Sequence, residues 1–168
     1  MIGFDARDTL LDAWHTNCRA TAYLVAQIPP ELWQAPVPGI PKRTLRTIAA
    51  HMHNARCSWV KTLGSEHGIT APDRVDFRRV TRRALIAALK RSERGIAAVL
   101  ELGCKNGGAV PPSRRYVWRN LALDVGHVLT YFVAHEGHHR GQLLLAIRQL
   151  DYRLPVTVTG ELWRWKHL

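Results

Sequence analysis

Four long stretches of this chain repeat apolar residues at steps of three and four, and none sustains the alternation of a strand. That period gives each stretch one apolar side, which a fold can bury only by packing helix against helix. The first stretch covers about residues 6–28, with Leu11, Trp14, Cys18, Ala22 and Val25 as its inner stripe, and Pro29 and Pro30 end it. The second covers about 44–63 through Leu45, Ile48, Met52, Ala55 and Trp59, with Gly64 placed as a C-cap. The third covers about 81–102 through Leu85, Ala88, Leu89, Ile96, Val99 and Leu100. Gly95 weakens that helix by about 1 kcal/mol relative to alanine. The fourth and longest covers about 121–151, with Val128, Phe132, His135, His139, Leu143, Ala146 and Leu150 inward. Loops dense in proline and glycine separate the first stretch from the second and the third from the fourth, and both are long enough to cross a bundle. The pattern predicts an all-α four-helix bundle. The length of 168 residues predicts a single domain over residues 1–168. After the fourth stretch the tail has no clear period, and Val156 to Thr159 reads as a short extended piece.

Composition narrows the function classes. The three cysteines, Cys18, Cys57 and Cys104, are too scattered for a disulfide framework, and no two have the C-x-x-C spacing. They read as free thiols of a reducing cytoplasm, with Cys57 packed. The opening residues lack the basic and apolar regions of a secretory leader, and no apolar run approaches the ~20 residues of a membrane span. The net charge is +11. An anionic partner fits that charge, but the basic residues are dispersed with no long block of one sign. A basic solvated surface accounts for them better than a nucleic-acid interface.

The fourth stretch sets histidines in an apolar stripe. His135 and His139 stand one turn apart, about 5–6 Å at Cβ, and can point to one ion. On the second stretch His51 follows Ile48 by three and precedes Ala55 by four, so it faces inward, whereas His53 lies about 200° round the helix and faces away. His138 falls on a flanking face, and His15, His67, His127 and His167 read as surface or packing residues. A single inward histidine is usually a hydrogen-bonded core residue; three at compatible phases on two helices favour a metal. The set suits zinc, nickel or iron(II), with a coordination position left for water or substrate.

His135-Glu136-Gly137-His138-His139 also satisfies the zinc-protease pattern H-E-x-x-H. The longer pattern fails, because Gln142 stands where glycine is needed and Leu145 where the third histidine is needed. Glu161 follows His139 too closely, with Pro155 between, for a helix carrying a downstream glutamate ligand. The match reads as coincidence. Glu136 sits at one edge of the stripe and is the candidate catalytic base or support residue.

The segment from Ala134 to Pro155, with its H-x-x-x-H-R-G-Q core, resembles the last-helix signature of the DinB/YfiT-like superfamily. Thr44 to Val60 resembles that superfamily's earlier histidine-bearing helix, and Trp163-Arg164-Trp165 is similar to the ending of some members. The resemblance implies an up-down-down-up bundle, often dimeric, with a divalent metal on His51, His135 and His139. Arg140, Gly141 and Gln142 match the R-G-Q, which implies close helix approach at Gly141 and hydrogen-bonding support from Arg140 and Gln142. Characterised members include thiol S-transferases using low-molecular-weight thiols such as bacillithiol, mycothiol or glutathione, and a mycothiol-dependent isomerase. The resemblance therefore implies a metal-dependent transferase acting on a small-molecule substrate with an anionic thiol. A metal hydrolase with Glu136 as base and a stress-response protein with a structural metal are the other readings.

Overall fold

The computed structural model describes residues 5–117 and 119–167. Four long helices form the bundle: α1 (Ala6–Gln27), α2 (Leu45–Gly64), α3 (Arg82–Lys105) and α4 (Val125–Gln149). A short fifth helix, α5 (Val156–Glu161), follows. No helix among the described residues is long and apolar enough to cross a membrane.

Side-chain oxygens define where the long helices begin. Asp5 caps α1, accepting from the backbone N–H groups of Arg7 and Asp8. Thr44 and Thr47 form a reciprocal capping box on α2. Thr81 caps α3, and Asp124 caps α4 by accepting from His127. The expected start of the fourth helix at residue 121 therefore moves to 125. Leu121 is held outside it by the Tyr116 hydroxyl, which accepts from its N–H and donates to its carbonyl. Val156 to Thr159, read as extended, opens α5 instead. Pro155 at the N-cap supplies a fixed φ just before the turn, and among the described residues there is no strand for the segment to pair with.

Contacts fix the direction of each helix. Arg7 bonds Glu101, while Arg82 donates to the Ile28 carbonyl at the other end, so α1 and α3 run antiparallel. Trp14 meets Phe132 and Thr21 bonds both Glu136 and Arg140, so α1 and α4 run parallel. His51 approaches His139 and Trp59 approaches Tyr131, so α2 and α4 are antiparallel. His53 bonds Ser92, and Gly95 packs on Val60, so α2 and α3 are parallel. The order is up, down, down, up.

Parallel α2 and α3 require a connection that returns along the bundle, and residues 65–81 provide it. The sequence placed the long crossings only before α2 and before α4. Two polar side chains of α2 pin the returning segment. Asn54 donates to the Val75 carbonyl and accepts from the Val75 N–H, and His53 bonds the Asp73 carbonyl. His53 is fully buried rather than turned to solvent, because this segment and Ser92 cover it.

Gly95 has a packing role that outweighs its helix propensity. A Cβ there would stand 2.9 Å from Val60 Cγ2, a branched side chain with little room to move. The glycine lets α2 and α3 approach. Gly95→Ala is expected to destabilise the fold by about 1–3 kcal/mol, against the gain of up to ~1 kcal/mol that the same change brings at an open helical position. Urea unfolding of the two proteins, read by circular dichroism, measures the sign.

Candidate metal centre

The bundle core is two apolar clusters with a polar layer between them. One cluster centres on Leu24, Ile28, Leu45, Ile48, Leu85 and Leu143. The other centres on Trp14, Trp59, Leu63, Ile96, Leu100 and Phe132. Between them Asn17 and Thr21 of α1, Arg56 of α2, Ser92 of α3 and Glu136 of α4 are all buried.

Glu136 organises this layer. Arg56 Nε donates to its Oε1 at 2.5 Å, and Arg56 Nη2 to its Oε2 at 2.7 Å, a bidentate pair. Asn17 Nδ2 and Thr21 Oγ1 also donate to Oε2, at 2.9 and 2.8 Å. Burial alone would raise the Glu136 pKa, but Arg56, Thr21 and Arg140 outweigh it and hold the carboxyl below its ordinary value. For Arg56 burial acts to lower the pKa, and Glu136 overcomes it so that the guanidinium stays charged. Arg56 also donates to the Leu89 carbonyl and lies over the Trp14 ring.

This layer corrects the helical phase read from the sequence by one residue on each of two helices. The buried line of α2 passes through Met52, Arg56 and Trp59, not through Ala55. That of α4 passes through Phe132, Glu136, His139 and Leu143. Glu136 is fully buried, His135 is half-buried at the edge of the line, and His51 is exposed. The histidines therefore line a groove between α2 and α4 that runs from exposed His51 to buried His139.

There they converge. His51 Nε2 and His139 Nε2 each lie 3.2 Å from His135 Nε2, and one ligand atom from each ring falls within 4.8 Å of the others. Two nitrogens bound at 2.0–2.1 Å to one tetrahedral ion would stand about 3.3 Å apart. A single imidazole nitrogen carries either a proton or a lone pair, so His135 Nε2 cannot donate to one neighbour while accepting from the other. Shared binding of a cation satisfies all three.

The supports fit that use. Gln142 Oε1 lies 2.8 Å from His139 Nδ1 and accepts a hydrogen bond from its N–H, which leaves the Nε2 lone pair facing the other rings. Tyr131 stacks on His135 with the planes 13° apart. Burial, then the charge of His139 and His51, depresses the His135 pKa to about 4. Burial and neighbouring positive charge also lower His51, and burial lowers His139 against the opposing bond to Gln142. At neutral pH the rings are uncharged, the state a ligand needs. Among the described residues the group holds three histidines and no carboxylate or thiol. Three residues are thus positioned to hold a divalent metal with coordination left open.

The remaining expectations divide. His138 is exposed and outside the group. Arg140 Nη1 donates to Asn17 Oδ1 and Thr21 Oγ1, which extends the Glu136 network. Gly141 does not serve close helix approach: a Cβ there would meet nothing within 4 Å. Arg56, Asn17 and Thr21 went unread in the sequence, although Arg56 lies four residues after Met52 and three before Trp59, in step with the apolar stripe.

A family model described as the DinB family matches residues 4–164. No curated protein sequence matches the chain.

Glu136→Gln leaves Arg56 buried without its counter-charge and is expected to cost about 3–5 kcal/mol. The depressed pKa of Glu136 means that its contribution is complete above the unfolded value of 4.5 and is lost as pH falls through the lower folded value. Wild-type stability should therefore fall below about pH 4.5, with a weaker fall in Glu136→Gln. Unfolding curves at pH 7 and across pH 3–6 check both; equal stability of the two proteins at pH 7 would refute the assignment.

Proposed function

We propose, from the premise that the chain belongs to the DinB family, that it is a divalent-metal-dependent enzyme of the thiol S-transferase kind, with His51, His135 and His139 as the metal ligands. The convergence of three uncharged imidazole nitrogens in an open groove carries this reading. When bound there, zinc, nickel or iron(II) would lower the pKa of a coordinated thiol and supply a thiolate near neutral pH.

The chain's own residues support a thiol brought by a small molecule. The histidine group includes no cysteine, and Cys18 and Cys57 are buried with their pKa values raised by burial, that of Cys57 to about 11. Neither is a ready nucleophile. His51, the exposed member, leaves the groove open to an incoming ligand. Arg43 and Arg74 lie close enough to depress its pKa after the effect of burial, and the same positive field favours an anionic thiol. Tyr131 and Gln142 hold the rings of His135 and His139 in place.

The hydrolase reading depends on a carboxylate base. Glu136 is next to His135 in sequence, but its oxygens receive four donors from Arg56, Asn17 and Thr21 inside the core. That engagement supports a positioning role: Glu136 anchors the turn that carries His135 and His139.

Elemental analysis of purified protein tests the ligand set. Near-stoichiometric metal is expected in the wild type and in His138→Ala and His53→Ala, and its loss in His139→Ala. Gln142→Leu should weaken metal binding about 10–100-fold. Equal metal loss in all the histidine variants would remove the ligand assignment. For activity, metal-loaded protein is incubated with glutathione or bacillithiol and an electrophile such as monochlorobimane. Metal-dependent conjugate formation supports the transferase, and thiol-independent ester hydrolysis with no conjugation would favour the hydrolase.

A further inference from the structure

On the far side of α4 from the histidines lies a second cavity of about 610 Å³, between α1, α4 and the segment after α5. Gly137 and Gly141 line it, each two residues from a histidine of the trio and so about 200° round the helix. Its volume falls within the range of small-molecule sites. Most of the wall is apolar, including Leu144, Leu162, Trp163 and Trp165. Trp163 is 79% exposed and Trp165 55%, a large apolar area left facing solvent at the mouth of a cavity.

One charged group stands in the wall at mid-depth of the bundle. Arg140 lines the cavity, and among the described residues its hydrogen bonds go to neutral groups only, Asn17 Oδ1 and Thr21 Oγ1, both through Nη1. Both oxygens of Glu136 are taken by Arg56. Arg140 Nη2 instead faces Gly137, 3.8 Å from the position a Cβ would take there. Because residue 137 lacks a side chain, nothing of its own screens that nitrogen from the cavity. Gly141, where a Cβ would meet nothing within 4 Å, leaves further space beside it. Asp12 is the other charged residue of the wall and lies at the exposed rim.

We propose that this cavity is a binding site for a small amphipathic carboxylate, whose charged end pairs with Arg140 and whose apolar body packs on Leu144, Leu162, Trp163 and Trp165. A guanidinium with free N–H donors in an apolar, partly desolvated wall favours an anion with an apolar body over either a neutral hydrocarbon or a fully polar ion. The site is separate from the histidine groove and holds whether or not a metal binds there.

Decanoate and 2-naphthylacetate are the probes, titrated by calorimetry into the full chain after chelation, so that no carboxylate is read at the histidine groove. Binding is expected with a Kd below about 1 mM, with 1-decanol at least about tenfold weaker than decanoate. Gly141→Leu, which fills the cavity at a helical position with free space, should weaken both probes at least about tenfold while the protein stays folded by circular dichroism. Arg140→Gln should remove the preference for decanoate over 1-decanol. The proposal is overturned if neither probe binds below about 1 mM, if decanol binds as well as decanoate, or if Gly141→Leu binds both probes unchanged.

Discussion

The bidentate pair between Arg56 and Glu136 sets the geometry of this bundle. Both side chains are removed from water between two apolar clusters. Their mutual attraction must offset a desolvation cost of several kcal/mol per ion, and it does so only in one geometry. Asn17 and Thr21 complete the acceptor sites of Glu136, and Arg140 bonds back to both of them. A rotation or slide of α4 against α1 or α2 would leave charges unpaired, whereas apolar side chains alone would tolerate small shifts. The network therefore defines the register among three helices.

That register places the candidate metal centre. Glu136 points into the core, so the residues on either side of this anchored turn, His135 and His139, emerge along the seam with α2. Arg56 fixes α2 in the same way, and His51, five residues earlier, meets them across the groove. The polar layer and the histidine group lie at nearly the same height in the bundle. Structural charge is kept inside and the histidine group at the seam, so the imidazoles remain neutral near a carboxylate that is already neutralised by Arg56.

The same layer explains the second cavity. Arg140 reaches Asn17 and Thr21 from the α1 side, and the glycines at 137 and 141 leave the surface beyond it concave. Helix α4 thus presents different chemistry on three sides: neutral imidazoles toward α2, a paired carboxylate toward the core, and a cation in an apolar wall toward α1 and the C-terminal segment.

The four long helices, most of their boundaries and the three histidines were legible in the sequence, because periodicity and capping residues are local signals. The spacing of His135 and His139 and the position of His51 pointed to one group before any fold was known. What spacing could not decide was the phase of α2 and α4 to within one residue. An apolar stripe interrupted by Arg56 or Glu136 is unfavourable on either helix alone, so each helix read separately turns its charge outward. Only the packed bundle brings the two together, and the burial of one is stable only through the other. The buried fate of His53, the returning path of residues 65–81 and the open space beside Gly141 have the same origin. Each depends on which distant segment arrives to cover the residue, and contacts between distant segments belong to the tertiary structure.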